Sequence, residues 1–69
     1  MSRNIRFLLT VRKFSAGGTP FDYVVLIREF NPKQWKSESH MRQAFLYRCR
    51  KYHPAEYADP TKKILREFS

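Results

Sequence analysis

Apolar and polar residues alternate with a period of two near the start of the chain. In residues 5–14, Ile5, Phe7, Leu9 and Val11 share one side of the pattern. The other side is basic with apolar interruptions, and its members are Arg6, Leu8, Thr10, Arg12 and Phe14. This alternation predicts a half-buried β-strand. The stretch "SAGGTP", residues 15–20, has two glycines and a proline and predicts the turn that follows the strand.

A second alternating run covers residues 21–30 and is apolar on both sides. The pattern predicts Phe21, Tyr23, Val25 and Ile27 on one face. The other face would then carry Val24, Leu26 and Phe30. Because a two-stranded hairpin is marginal in water, such a strand needs cover on both sides. A flanking helix, a third strand or pairing with a second copy of the chain would each provide that cover.

The next segment changes to helical spacing. Met41, Phe45, Cys49 and Tyr52 recur at intervals of three and four, which predicts a main helix over about 38–52 with these residues on its buried stripe. Ser37 or Ser39 is the candidate N-cap, since serine hydroxyls accept bonds from free amide groups at a helix start. Pro54 disfavours helical geometry at His53 and predicts the helix end.

The last segment resembles a short second helix. Asp59-Pro60 has the order of an N-cap followed by proline at the first helical position, and Ile64, Leu65 and Phe68 form a narrow apolar edge. We therefore predict a helix over about 60–68. Together the elements predict one α+β domain over residues 1–69, an antiparallel hairpin packed on the main helix.

The net charge of the chain bears on its function rather than on its fold. The 69 residues include 14 Lys or Arg and only six Asp or Glu, a net charge of +8. Such an excess favours a polyanionic partner, either DNA or RNA, or an acidic protein surface. Solubility alone is the simpler explanation of the same excess.

Candidate catalytic chemistry is sparse. Cys49 and His53 lie four residues apart, but structural zinc needs four ligands and the chain has one cysteine and two histidines. Cys49 also falls in the centre of the apolar stripe, where a small buried side chain is the ordinary role. No phosphate-binding loop or paired carboxylates are evident. We therefore predict a protein that is not an enzyme and that uses no metal or cofactor.

Two surfaces have the composition of a nucleic-acid interface, in which cations bind phosphates and aromatic rings stack on bases. One is the outer face of the first strand, with Arg6 and Arg12 beside Phe14. The other is the solvent side of the main helix, whose members are His40, Gln43, Tyr47, Arg50 and Lys51. In a major groove, Gln43 would suit an adenine edge and Arg50 a guanine edge. A solvated helix face without any partner is the competing explanation.

A different class of function fits nearly as well. A small basic inhibitor or regulator of the phage type could bind an acidic surface of a larger nucleic-acid enzyme, such as a polymerase or nuclease. Trp35, beside Lys33 and Lys36 in a proline-marked loop, is the candidate anchor, because tryptophan and arginine dominate interface hot spots. Trp35 could equally be a lid on the core.

The remaining expectations concern location and assembly. A single cysteine cannot form an internal disulfide, which predicts a reducing, cytoplasmic compartment. The longest apolar run is Val24–Ile27, far too short for a membrane span, and no membrane association is expected. A homodimer through the sheet is the predicted form of self-association, because it would cover the second face of the hairpin.

Overall fold

The computed structural model describes residues 3–69 and shows an α+β fold with a three-stranded sheet and two helices. Strand β1 is Ile5–Phe14, β2 is Pro20–Phe30 and β3 is Lys63–Phe68. A 3₁₀ turn, Pro32–Gln34, leads to helix α1 over Glu38–Tyr52, and a one-turn helix α2 covers Pro54–Tyr57. All strands are antiparallel in the order β2-β1-β3, so β1 is central. The predicted hairpin and main helix are confirmed.

The C-terminal segment is a strand, and the predicted helix over 60–68 is wrong. Asp59 accepts a bond from the amide of Thr61 at 2.8 Å, which closes a tight turn where the pattern suggested a helix cap. The strand pairs with the second edge of β1, so that Ile64 lies opposite Leu9 and Leu65 opposite Leu8. A six-residue segment has too few apolar positions to separate the two periods, and its pairing partner lies more than fifty residues away.

A β-bulge interrupts the β1–β2 ladder and corrects the predicted faces of β2. Leu9 pairs with Leu26 and Thr10 with Val24, which leaves Val25 as the extra residue. Beyond the bulge the alternation changes phase, so that Ile27 shares a face with Val24 rather than with Tyr23. The strict alternation predicted from the sequence is therefore wrong, because one inserted residue moves every later side chain to the other face.

The core lies between α1 and one face of the sheet. Phe7 and Phe45 stack with ring centroids 5.8 Å apart, and Phe30 packs edge-on against Phe7. Buried residues of the core cluster come from β1, the end of β2 and α1: Ile5, Phe7, Leu9, Phe30, Met41, Phe45 and Cys49. Within residues 3–69, no helix covers the opposite face, on which Val24, Ile27 and Leu65 are exposed. We call this uncovered side the open face.

Both ends of α1 follow the sequence prediction. Ser37 is the N-cap, and its Oγ accepts a bond from the amide of His40 at 3.3 Å. The helix ends at Tyr52, with His53 as C-cap before Pro54. Tyr52 corrects one detail, since it is 60% exposed rather than part of the buried stripe. It occupies the last helical position, beyond the residues that pack on the sheet.

Candidate nucleic-acid interface

The outer side of α1 brings together all five residues that the helical pattern predicted there. His40, Gln43, Tyr47, Arg50 and Lys51 are exposed, and they lie opposite the buried positions Met41, Phe45 and Cys49. Because the buried stripe packs on the sheet, the outer side of the helix faces solvent along its whole length. Fifteen residues correspond to a helix of about 22 Å.

Aromatic and cationic groups interleave at the C-terminal end of this helix. The Lys51 ammonium lies 5.7 Å from the ring centroid of Tyr47 and 5.4 Å from that of Tyr52. Each distance is within the range of a cation–π contact. At the other end, Ser37 Oγ and His40 Nδ1 are 2.7 Å apart, so His40 is held against the N-cap.

Two further cations of α1 were not among the contact residues predicted from the sequence. Arg42 and Arg48 are both exposed on the flanks of the helix, between the buried stripe and the outer side. Arg48 takes part in none of the ion pairs among the described residues. The one acidic residue of α1, Glu38, bonds to Arg66 of β3. The spacing of Arg48 from Lys51, three residues, is the signal that could have identified it.

The other predicted surface lies on the opposite side of the molecule. Arg6 and Arg12 are on the open face, in register with Glu29 and Asp22 of β2 respectively. Arg6 already forms an ion pair, since its Nε lies 2.8 Å from Oε1 of Glu67. Since α1 packs on the other side of the sheet, one rigid ligand could not contact both surfaces.

Charges on the open face cancel. Cross-strand pairing places three basic and three acidic residues there: Arg6, Arg12, Lys63, Asp22, Glu29 and Glu67. Lys63 and Asp22 themselves approach to 3.8 Å. The chain has 14 basic and six acidic residues, so the whole net charge of +8 belongs to residues outside the open face. We call the exposed outer side of α1, with Arg42 and Arg48, the helix-side surface.

Two carboxylates have lowered pKa values for local reasons. Hydrogen bonds from Ser69 and Asn4 lower the pKa of Glu29, and Arg6 adds a smaller attraction. Bonds from the amide and hydroxyl of Thr61 lower the pKa of Asp59, aided by the charge of Lys13. Each effect stabilises the ionised carboxylate in a strand or turn. Neither carboxylate belongs to the helix-side surface.

The loop that carries the predicted anchor partly joins the core. Trp35 is half-buried and packs perpendicular to Phe30, with ring centroids 5.1 Å apart. Lys33 and Lys36 lie on either side of it in the chain, and Lys36 is exposed. One side of the Trp35 ring thus covers the core, as a lid would. The remaining surface of the ring lines an open hollow together with Arg28 and Arg48.

Cys49, the residue weighed as a metal ligand or nucleophile, belongs to the buried core cluster, and its carbonyl oxygen accepts a bond from the amide of His53 at 2.9 Å. Cys49 is fully buried, and burial raises the pKa of its thiol. Residues 3–69 hold no group of three or more His, Cys, Asp or Glu side chains placed to bind a metal ion. None of the helices in the same range is long and apolar enough to cross a membrane.

The open face has an aliphatic centre around Leu8, formed by Val24, Ile27 and Leu65. It is the face on which the predicted homodimer would form, and that assembly stays a prediction.

Comparison with known proteins adds no relative, because no family model, curated protein or solved structure matches this chain.

Proposed function

We propose that this protein is a non-enzymatic nucleic-acid-binding protein that contacts DNA or RNA through the helix-side surface. The observation that supports the proposal is the segregation of charge. Three basic and three acidic residues cancel on the open face, and the excess of cations lies elsewhere. A positive charge needed only for solubility would have no reason to be kept off one face of the molecule.

The chemistry of the helix-side surface suits a polyanion. Arg50 and Lys51, with the flanking Arg42 and Arg48, are exposed cations for backbone phosphates. Tyr47 has a ring that can stack on a base or pack against a sugar. Gln43 adds paired donor and acceptor groups for a base edge.

A matched pair of double variants tests the proposal. Arg50→Gln with Lys51→Gln removes two charges from the helix side, while Arg12→Gln with Lys63→Gln removes two from the open face. We expect the Arg50 and Lys51 double variant to have lower affinity for a labelled oligonucleotide than the parent. It should also reduce the slope of log K against log salt by about one for each phosphate that the variant no longer binds. The Arg12 and Lys63 double variant should bind with nearly the same affinity and salt slope as the parent.

Two results would contradict the proposal. Equal reductions of affinity in both double variants would indicate a non-specific effect of total charge. A reduction confined to the Arg12 and Lys63 variant would place the binding surface on the open face. Circular dichroism of each variant checks that the fold is retained, which we expect because all four side chains are exposed.

A second candidate function is binding to an acidic surface of a larger nucleic-acid enzyme. It is favoured by the combination of Trp35, Arg28 and Arg48 around one hollow, because tryptophan and arginine are enriched at protein hot spots. This alternative predicts capture of one dominant protein that survives nuclease treatment and disappears in Trp35→Ala. Direct nucleic-acid binding predicts that captured material is nuclease-sensitive and that purified oligonucleotides bind without other proteins.

A further inference from the structure

An open hollow of about 300 Å³ lies between the end of β2, the turn after it and the side of α1. Its lining residues are Arg28, Glu29, Phe30, Asn31, Gln34, Trp35 and Arg48. This volume is at the lower end of the range found for small-ligand sites. Of these lining residues, only Trp35 was predicted from the sequence to contact a partner, because the three segments come together only in the fold.

Two arginines give the hollow a positive character. Arg28 belongs to β2 and Arg48 to α1, and neither takes part in any of the three ion pairs among the described residues. The nearby acid, Glu29, is in register with Arg6 on the open face and accepts a bond from Asn4 Nδ2 at 3.2 Å. Its carboxylate is therefore committed to the other side of the sheet. Two guanidinium groups without carboxylate partners favour an anion.

Local bonding holds the aromatic wall in place. Asn31 Oδ1 accepts a bond from the amide of Lys33 at 3.0 Å and caps the 3₁₀ turn. Trp35 follows this turn and is braced against Phe30 at an interplanar angle of 81°. Since both contacts are made within the chain itself, the indole is positioned in advance, which reduces the entropic cost of binding.

We propose that this hollow binds one unpaired nucleotide of a single-stranded nucleic acid. The base would stack on the exposed surface of Trp35, its phosphate would lie against Arg28 and Arg48, and the Gln34 amide would be available to a base edge. An aromatic ring, a pair of cations and an amide are the groups that bind unpaired bases. A duplex cannot use this hollow, because each of its internal bases is already stacked on both sides.

The hollow continues into the helix-side surface. Arg48 lies three residues before Lys51 on α1, so their side chains are neighbours on the helix. Lys51 in turn contacts Tyr47 and Tyr52. A strand whose base occupies the hollow would thus meet further cations and rings as it passes along α1. The inference rests on the proposed function and specifies it as preference for single strands.

Trp35 is the only tryptophan in the chain, so intrinsic fluorescence reports directly on the hollow. The probe is a labelled single-stranded oligonucleotide of roughly twelve nucleotides, within the site sizes of single-strand binding folds, compared with the blunt duplex of the same sequence. We expect the single strand to quench Trp35 saturably and to bind more tightly than the duplex. Trp35→Leu should weaken single-strand binding roughly five- to a hundredfold and leave duplex binding unchanged. Trp35→Phe, which keeps a ring against Phe30, should recover part of that affinity.

Phe14→Leu is the matched control, because Phe14 is a highly exposed aromatic residue at the far end of β1. It should leave the affinity for the single strand unchanged. If oligonucleotides bind with unchanged Trp35 fluorescence, and Trp35→Leu binds equally well, the hollow proposal is overturned while the proposed function stands.

Two other outcomes are also decisive. No binding of either oligonucleotide by fluorescence or anisotropy would overturn the proposed function and the hollow proposal together. Quenching by an oligoglutamate peptide, with none by the single strand, would assign the hollow to an acidic protein segment and overturn the nucleotide assignment.

Discussion

Arg6 and Glu67 are 61 residues apart in the chain and meet across the β1–β3 ladder, with Nε and Oε1 2.8 Å apart. This pair lies within the charge-balanced row of the open face. Exposed ion pairs contribute little to stability because water screens them. We expect a double-mutant cycle with Arg6→Ala and Glu67→Ala to give a coupling of about 0.2–1 kcal/mol from urea unfolding. Arg6→Ala should also leave the affinity for an oligonucleotide nearly unchanged, whereas a reduction as large as that of the Arg50 and Lys51 variant would contradict binding through the helix side.

Phe45 is the fully buried residue through which α1 packs on Phe7. Phe45→Ala should destabilise the protein by about 3–5 kcal/mol, since it leaves a cavity at the centre of the core. Total stability for a chain of this length is about 3–10 kcal/mol, so the variant should lose a large part of it and unfold at a much lower urea concentration. Phe45→Leu keeps most of the volume and should remain folded with a reduced urea midpoint. A native-like midpoint for Phe45→Ala would show that α1 does not pack as described.

Thr10 is 2% exposed, and its Oγ1 has no hydrogen-bond partner among the described residues. A buried hydroxyl without a partner is destabilising, because it gives up its bonds to water. Thr10→Val has nearly the same shape and should raise the free energy of unfolding by up to about 1 kcal/mol. Thr10→Ser, which keeps the hydroxyl and removes a methyl group, should lower it. A lower urea midpoint for Thr10→Val than for the parent would indicate that the hydroxyl is bonded.

Cys49 is fully buried, and burial raises the pKa of its thiol above the ordinary value of 9.0. The folded protein should therefore react with a thiol reagent at mildly alkaline pH only as fast as it unfolds, since the thiolate is the nucleophile. A raised pKa of an acid also means that the unfolded chain ionises first. Stability should fall as the pH rises through about 9, and Cys49→Ala should remove that part of the dependence. Rapid labelling under native conditions would contradict the burial.

Asp59 holds the turn before β3 by accepting bonds from the amide and the hydroxyl of Thr61, at 2.8 and 2.7 Å. The same hydroxyl oxygen accepts a bond from the amide of Arg12 at 2.9 Å, which ties the turn to β1. These bonds lower the pKa of Asp59 in the folded state, so its contribution is complete above the ordinary value of 3.8 and disappears as the pH falls through the folded value. Asp59→Ala should therefore destabilise the protein at neutral pH, and the difference from the parent should shrink as the pH falls below the ordinary value of 3.8. A constant difference across this range would exclude the carboxylate as its source.

The local sequence pattern was sufficient to predict an element whose residues themselves carry the periodicity and the end signals. The alternation of residues 5–14 and 21–30 and the intervening turn predicted the hairpin. Ser37 or Ser39 as N-cap, with Pro54 after the last turn, predicted the two ends of α1. The outer side of α1 was also predictable, since a helix with a buried stripe around Phe45 must expose Gln43 and Tyr47. These properties depend on neighbours within a few positions, which the sequence shows directly.

The tertiary structure decided everything that depends on distant partners. Residues 63–68 became β3 because the second edge of β1 offered backbone bonds, and the bulge at Val25 changed the faces of β2. Register with β2 and β3 then set Arg6 and Arg12 within a neutral face, while the hollow formed where the end of β2 meets α1. Composition alone determined a net charge of +8, but a net charge has no direction. Only the pairing of strands and the packing of α1 showed that this excess of charge lies outside the open face.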